Sequence, residues 1–506
     1  MENAYFAPGA EPKTLTGLIQ RQALARPRAL AVRFLPDAIG YDFTYAQLHS
    51  RSQRAAARLW HDLGVRPGDR VAWLGQNHPD MLALLLALAR IGAALVPLNY
   101  RLAAAEWRTQ LAQCTPNLLI CDAVWEAAAQ ELGEAQGLGV DRCEHFFSEP
   151  VALDAPRHDQ PGSPCLLVYT SGTTGQPRAA VHSQANLLAN MRIASSAQAL
   201  VATDTIASML PLFHVGGLCI QTLPAFYAGA CVVLLPRFEP GAALACFGRE
   251  RPTLTLQVPA TMQALISHPQ WAVTELGSLR AVWAGSSILP AHLIEAFHAR
   301  SLPVCNVYGA TETGPFSIAL PPASARSHVG SCGWPAPGVE VRLARTAETA
   351  SQVDGVGEIW LRAPNVVEQY WPDASATDSE GWFRSGDLAR CACDGSYTVV
   401  GRAKDMVISG GENIYPAEVE NALLAHPAVA ECAVLGLPDA QWGEVLAAAV
   451  VLREGASLDL EALREFLARG IARFKLPRSL HCVQALPKTA LGKVRKDALR
   501  ELLLNS

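Results

Sequence analysis

The chain has 506 residues, half of them hydrophobic and 17% charged, with a formal net charge of −5. That length exceeds one ordinary core and calls for two or more domains, while the apolar content excludes a disordered chain. The mild acidity gives no electrostatic ground for binding nucleic acid or an anionic membrane surface. Between 41 and 122 the pattern alternates: 69–74 reads as a strand, 79–91 as a helix, 94–98 as a strand, 105–113 as a helix and 118–121 as a strand. The apolar stretch 81–98 is interrupted by Arg90, Gly92 and Pro97, so it suits a buried helix and strand better than a membrane span. Residues 165–168 form a further apolar strand. The alternation returns between 185 and 320, with helices over 183–191 and 291–299 and strands over 230–235 and 253–258. Strands separated by helices of this length imply parallel pairing through right-handed crossovers.

From 328 to 401 the texture changes to short β-like pieces (339–343, 357–361, 397–400) between Gly, Pro and Asp turns, as in a small antiparallel sheet or barrel. After Arg402, helices over 416–424 and 460–468 and strands over 431–437 and 445–452 make a compact mixed unit. The expected fold class is α/β. A large N-terminal domain, 1–401, holds two stacked αβα subdomains (about 1–180 and 181–325) and a small β-barrel (326–401). A small mobile α+β domain, 402–506, follows it. Thirteen cysteines scattered singly through apolar segments fit a reduced, cytoplasmic setting. The opening Met1-Glu2-Asn3-Ala4-Tyr5 lacks the basic and apolar regions of a secretory leader.

Chemistry concentrates in a few segments. Strand 165–168 empties into Tyr169-Thr170-Ser171-Gly172-Thr173-Thr174-Gly175-Gln176-Pro177-Arg178. Glycines let backbone approach a ligand, exposed N–H and hydroxyl groups face an anion, and the arginine adds charge. A polyphosphate is the simplest ligand, although the G-x-x-x-x-G-K-[ST] loop is absent; a plain Ser/Thr/Gly surface loop has the same composition. Tyr308-Gly309-Ala310-Thr311-Glu312-Thr313-Gly314 follows another apolar run, 304–307. It offers a ring for a base, a hydroxyl for a phosphate and a hard carboxylate oxygen for Mg²⁺. Trp382-Phe383-Arg384-Ser385-Gly386-Asp387 places a carboxylate where a vicinal diol would suit it. Gly401-Arg402-Ala403-Lys404-Asp405 lies at the domain boundary, and Pro487-Lys488-Thr489-Ala490-Leu491-Gly492-Lys493 near the end.

These motifs, in this order, resemble the signatures of the adenylate-forming (ANL) superfamily, in its acyl-CoA/aryl-CoA synthetase (AMP-dependent synthetase and ligase) branch. The resemblance runs over roughly 15–500. It implies ATP binding by Thr170, Ser171, Gly172, Thr173, Thr174, Gly175, Arg178, Gly285, Ser286, Ser287, Asn306, Tyr308, Gly309, Ala310, Thr311, Asp387, Arg402 and Lys493. Asp387 and Arg402 would hold the ribose, and Glu312 with Thr174 the Mg²⁺. Lys493, Thr311 and His214 are the implied catalytic residues, Lys404 the hinge, and Gly410 and Gly411 the contact to coenzyme A. An acid pocket of His214, Val215, Gly216, Ala310 and Phe316 follows from Pro211-Leu212-Phe213-His214-Val215-Gly216-Gly217. That segment has no carboxylate for an ammonium group, which argues against an amino-acid substrate.

The expected activity is thus ATP-dependent ligation of a fatty, aromatic or hydroxycinnamic monocarboxylic acid to CoA through an acyl-adenylate. A stand-alone adenylation enzyme serving a carrier protein in trans and a silent nucleotide-binding regulator are the alternatives. A homodimer fits equally well. The chain departs from the family pattern at Arg178 and Ala179, where Lys and Gly are usual, and at Ser286 and Ser287.

Overall fold

The helix Pro79–Ile91 shows how the layers form. His78 caps it by accepting from the Asp80 N–H, Pro79 presets the first φ, and Gly92 ends it at φ 74°. All of its residues are buried, so it has no polar face and belongs between layers. The computed structural model describes residues 11–36, 40–148, 154–170, 177–285, 289–344, 355–409, 412–439, 442–489 and 492–504.

An eight-stranded sheet contains the parallel strands Arg70–Leu74, Ala94–Leu98, Leu118–Cys121 and Pro164–Thr170. A nine-stranded sheet contains the parallel run Cys231–Leu234, Thr205–Ser208, Leu254–Gln257, Ala281–Gly285 and Val304–Tyr308. One continuous core joins Val71 and Trp73 of the first sheet to Val232 and Trp283 of the second. It runs through Leu18, Leu48, Leu84 and Leu188 of four helices. The continuous core explains why so few charges are present: helices buried on both sides need apolar residues all round.

Sheet membership is less sequential than the segments 1–180, 181–325 and 326–401. The hairpin Leu30–Phe34/Tyr41–Thr44 extends the nine-stranded sheet beside Cys231–Leu234. The short strand Gln369–Trp371 joins the eight-stranded sheet on Arg178–Ser183. The expected small barrel is a four-stranded antiparallel sheet of Glu340–Ala344, Val356–Arg362, Phe383–Cys391 and Tyr397–Arg402. Among the described residues its outer strands do not pair with each other.

In the small domain the hairpin Val429–Asp439/Gly443–Leu452 presents alternate residues to two faces. Val434, Leu446 and Ala448 pack on the helices Pro416–Leu424 and Leu460–Leu467. Ala433, Leu435 and Ala447 pack on Leu499 and Leu503 of the last helix, Lys496–Leu504. All thirteen cysteines are free. Among the described residues no helix is long and apolar enough to cross a membrane.

Candidate active site

The site gathers at the carboxyl ends of parallel strands, where an open α/β sheet leaves backbone groups unpaired. Ala281–Gly285 and Val304–Tyr308 end side by side, with Gly285 opposite Val307. A Cβ at Gly285 would overlap the Val307 carbonyl oxygen, and one at Gly309 would overlap that of Pro315. Close backbone packing therefore demands both glycines, whatever else they do. Thr311–Thr313 forms a single 3₁₀ turn, closed by the Ala310 N–H donating to Thr313 Oγ1 at 3.0 Å. Thr311 and Glu312 project from this turn, both half-buried.

Asp387 is the hub of the large-domain cluster. It lies opposite Arg402 in the antiparallel pair Phe383–Cys391/Tyr397–Arg402. Its Oδ1 accepts from Arg402 Nε at 2.8 Å and its Oδ2 from the Tyr308 hydroxyl at 2.8 Å. Its backbone N–H donates to Ser385 Oγ at 3.0 Å. Gly386, at φ 70°, donates its N–H to the buried Glu358 at 2.9 Å. Burial first, and the Asp387 charge second, hold the Tyr308 phenol well above its usual pKa. Asp387 conversely raises that of Arg402. The carboxylate keeps lone pairs for two further donors, which is what a ribose diol supplies.

Lys493 comes from the small domain on a tight hairpin. Lys488 bridges Val494, the Thr489 N–H donates to the Lys493 carbonyl at 2.7 Å, and Gly492 turns the chain at φ 81°. Two lysines near it are tethered. Lys488 pairs with Glu431 at 2.6 Å and Lys496 with Glu420 at 2.9 Å. Both glutamates lie on neighbouring elements that no local pattern reveals. Lys493 has no such partner among the described residues. Its side chain reaches solvent along the cleft, yet enough protein surrounds its ammonium to lower the pKa, with burial the larger cause and Arg402 the second. Asp387 and Glu312 partly oppose that shift, so Lys493 lies within reach of the charges of Arg402, Asp387 and Glu312.

His214 lies near enough for the Lys493 charge to act on it. It caps a short helix, Val215–Gly217, which runs into a π-helical turn, Leu218–Thr222. Such turns recur at functional sites. The His214 Nδ1 accepts from the Gly216 N–H at 3.1 Å. Burial, and then the Lys493 charge, lower its pKa to about 4. The ring is thus neutral near pH 7, and its proton sits on Nε2. A Cβ at Gly216 would meet His214 Nδ1 at 3.1 Å, so the missing side chain leaves room for the ring edge against the backbone.

Glu312 has a partner that sequence reasoning missed. The Tyr370 hydroxyl donates to its Oε1 at 2.7 Å. Among the described residues Oε2 has no hydrogen-bond partner. Arg178 lies over the Tyr370 ring, 5.8 Å from its centroid. Thr170 Oγ1 donates to the Arg178 carbonyl at 3.3 Å across the mouth of the loop. Ala179, which replaces the family's usual glycine, is buried in the core with Tyr169 and Trp371.

Other expected residues stand further from the chemistry. Asn306 is buried and donates to the Ser331 carbonyl at 3.3 Å, tying two segments of the large domain together. Phe316 is fully buried against Trp283 in the core. Val215 is buried as well, whereas Ala310 is half-buried. Lys404 is exposed on a 3₁₀ turn, Ala403–Asp405, between the domains. Ser171, Gly172, Thr173, Thr174, Gly175, Ser286, Ser287, Gly410 and Gly411 lie outside the described residues.

The Asp387 carboxylate, the Lys493 ammonium and the free Glu312 oxygen thus share one cleft. The family model described as "AMP-binding enzyme" matches residues 19–371, and "AMP-binding enzyme C-terminal domain" matches 418–493. The chain belongs to the AMP-binding enzyme family. Within that family it is 42% identical to an indoleacetate–CoA ligase of Aromatoleum aromaticum, over 97% of this chain and 98% of the relative. It is 40% identical to a feruloyl-CoA synthase of an Amycolatopsis species, over 95% and 97%. The o-succinylbenzoate CoA synthetase of Bacillus subtilis superposes with a TM-score of 0.86 in its complex with ATP and magnesium. That match has 29% identity and covers 96% of this chain and 99% of the other. The same synthetase with its acyl-adenylate gives a TM-score of 0.85, at 29% identity and 96% and 97% coverage.

Proposed function

We propose that the chain is an ATP-dependent, AMP- and pyrophosphate-forming acid–CoA ligase whose acid is an aromatic monocarboxylate of the arylacetate or hydroxycinnamate class. One observation carries the reaction class. Lys493 of the C-terminal hairpin and Arg402 at the end of the strand Tyr397–Arg402 share one cleft, and after burial it is the Arg402 charge that lowers the Lys493 pKa. A polyphosphate is the group that such a pair lacks.

In the first step a carboxylate oxygen of the acid attacks the α-phosphorus. The bond to the bridging oxygen breaks and pyrophosphate leaves. Negative charge grows on the phosphate oxygens, and Lys493 neutralises it. The Nε2–H of His214 orients the acid's carboxylate. Asp387 and Arg402 hold the ribose, and Tyr308 sets the position of Asp387. Glu312 Oε2, an uncommitted hard oxygen, fits Mg²⁺. When bound, that ion supplies charge neutralisation on the β- and γ-phosphates. In the second step the CoA sulfur attacks the acyl carbon, loses its proton, and AMP leaves. We assign the rotation between the two steps to Lys404.

The aromatic acid is supported by the relatives named as an indoleacetate–CoA ligase and a feruloyl-CoA synthase. A panel of acids with ATP, Mg²⁺ and CoA tests both parts. We expect AMP and acyl-CoA, with kcat/KM for arylacetates or hydroxycinnamates about tenfold or more above that for saturated fatty acids. AMP release only with a carrier protein overturns the acceptor. A preference for long-chain fatty acids overturns the acid.

A further inference from the structure

The Gln369–Trp371 strand does more than extend a sheet. It pairs with the strand that leaves the phosphate loop, Tyr370 opposite Ala180 and Trp371 opposite Ala179. The Trp371 indole N–H donates to the Gln113 carbonyl at 3.0 Å, which pins the strand from the other side. From this fixed place the Tyr370 side chain touches two separate parts of the site. Its ring lies beneath Arg178 of the phosphate loop, and its hydroxyl donates to Glu312 of the 3₁₀ turn at 2.7 Å. A backbone bond reinforces the second link: the Val367 N–H donates to the Glu312 carbonyl at 2.8 Å.

We propose that Tyr370 is a positioning residue that holds the Glu312 carboxylate with Oε2 turned to the metal and couples that orientation to Arg178. The reading rests on Glu312 being the metal ligand. The physical argument is geometric. A glutamate at the tip of a one-turn helix has three free torsions, and ordering it in each binding event costs rotamer entropy. The Tyr370 hydroxyl fixes Oε1 beforehand. An uncharged phenol hydroxyl donates its one hydrogen to the carboxylate, so the bond has a fixed direction. Partners behind a ligating carboxylate typically set about 10–100-fold in metal affinity.

The test uses the full-length protein with ATP and no acid, so that no turnover occurs. Calorimetry gives ATP affinity across a Mg²⁺ titration, and paramagnetic resonance gives Mn²⁺ affinity directly. Tyr370→Phe keeps the ring and removes only the donor. We expect the metal concentration at half-saturation to rise about tenfold, while ATP binding in EDTA stays unchanged. Tyr370→Leu also removes the ring, and should in addition weaken metal-free ATP binding as much as Arg178→Ala does. An unaltered metal titration in a folded Tyr370→Phe protein overturns the proposal. Glu312→Gln separates the two levels. If it leaves the metal titration unmoved, the metal assignment itself fails; if it weakens metal binding and Tyr370→Phe does not, only the role of Tyr370 fails.

Discussion

The Asp387 cluster and the Lys493 hairpin carry charges toward the same cleft in opposite ways. Asp387 has both oxygens and its own N–H bonded, to Arg402, Tyr308 and Ser385. Lys493 has its backbone fixed by a hairpin and its ammonium bonded to no described residue. The difference separates a preorganised binding surface from a delivered charge. A group that must serve one chemical step and then leave cannot be tied by strong local pairs, because breaking them would oppose the rotation. Its neighbours Lys488 and Lys496 are tied to Glu431 and Glu420, and those pairs travel with the small domain.

Lys493→Ala strains this contrast most. Pyrophosphate exchange should fall about 10²–10³-fold, the usual loss for one preorganised charge at a transition state. Transfer from a chemically supplied acyl-adenylate to CoA should stay within about twofold, since that half-reaction follows departure of the hairpin. Equal losses in both half-reactions would show that Lys493 is a fixed binding residue like Asp387. The charge also predicts an alkaline limb. The Lys493 pKa is lowered, so its proton is lost at a pH below that of an ordinary lysine, and exchange should decline from there upward. In Lys493→Arg the limb should vanish, because guanidinium does not titrate in that range.

The binding side is tested by Asp387→Asn. The amide still accepts from Tyr308 or Arg402, but it removes the charge and leaves Arg402 without its ionic partner. KM for ATP should rise about tenfold or more, as expected for a lost hydrogen bond to a charged group, with a smaller change in kcat. A large kcat loss at unchanged KM would place Asp387 in the transition state instead.

The two regions also differ in how legible they are in sequence. The binding surface sits on strand ends and tight turns, where glycines and hydroxyls replace core residues. Tyr308, Glu312, Asp387 and Arg402 stand in such segments, and it was the resemblance of those motifs to the adenylate-forming signatures that singled them out. Lys493 stands out because Gly492 marks its turn. What stayed hidden depends on contacts distant in sequence. Tyr370 lies in a three-residue strand too short for any periodicity, and it pairs with Ala180. The hairpin Leu30–Phe34/Tyr41–Thr44 joins Cys231–Leu234 for the same reason. Asn306 looked like a nucleotide contact, yet its amide serves the Ser331 carbonyl, a partner that no local pattern marks.

His214 gives a smaller effect, read from pH. Its pKa is lowered to about 4, so the native ring binds fewer protons than the unfolded one between about pH 4 and 6.5. Stability from this group is therefore full above the ordinary histidine pKa and is lost as pH falls toward 4. The KM for the acid should be flat between about pH 6 and 8, since the ring stays neutral there. A break in KM near pH 6.5 that disappears in His214→Gln would show an exposed, ordinary imidazole.

Arg178 should give the smallest effect, and it bears on how preorganised the phosphate loop is. The residue is exposed and lies over the Tyr370 ring, an arrangement worth about 0.5–1 kcal/mol at such a site. Arg178→Ala should raise KM for ATP about two- to fivefold by that measure. Arg178→Lys should be tolerated, because a lysine keeps the charge and also rests on an aromatic face. Ala179 puts a methyl group into the core with Trp371, so the loop leaves the sheet from a packed strand instead of a bare glycine. Such an anchor fixes the strand that carries Arg178. Ala179→Gly should thus weaken ATP binding slightly and loosen the strand, seen as faster amide exchange at 178–180. An Arg178→Ala protein with wild-type KM would mean that the cation serves only the surface, and that the loop holds phosphate through its backbone alone.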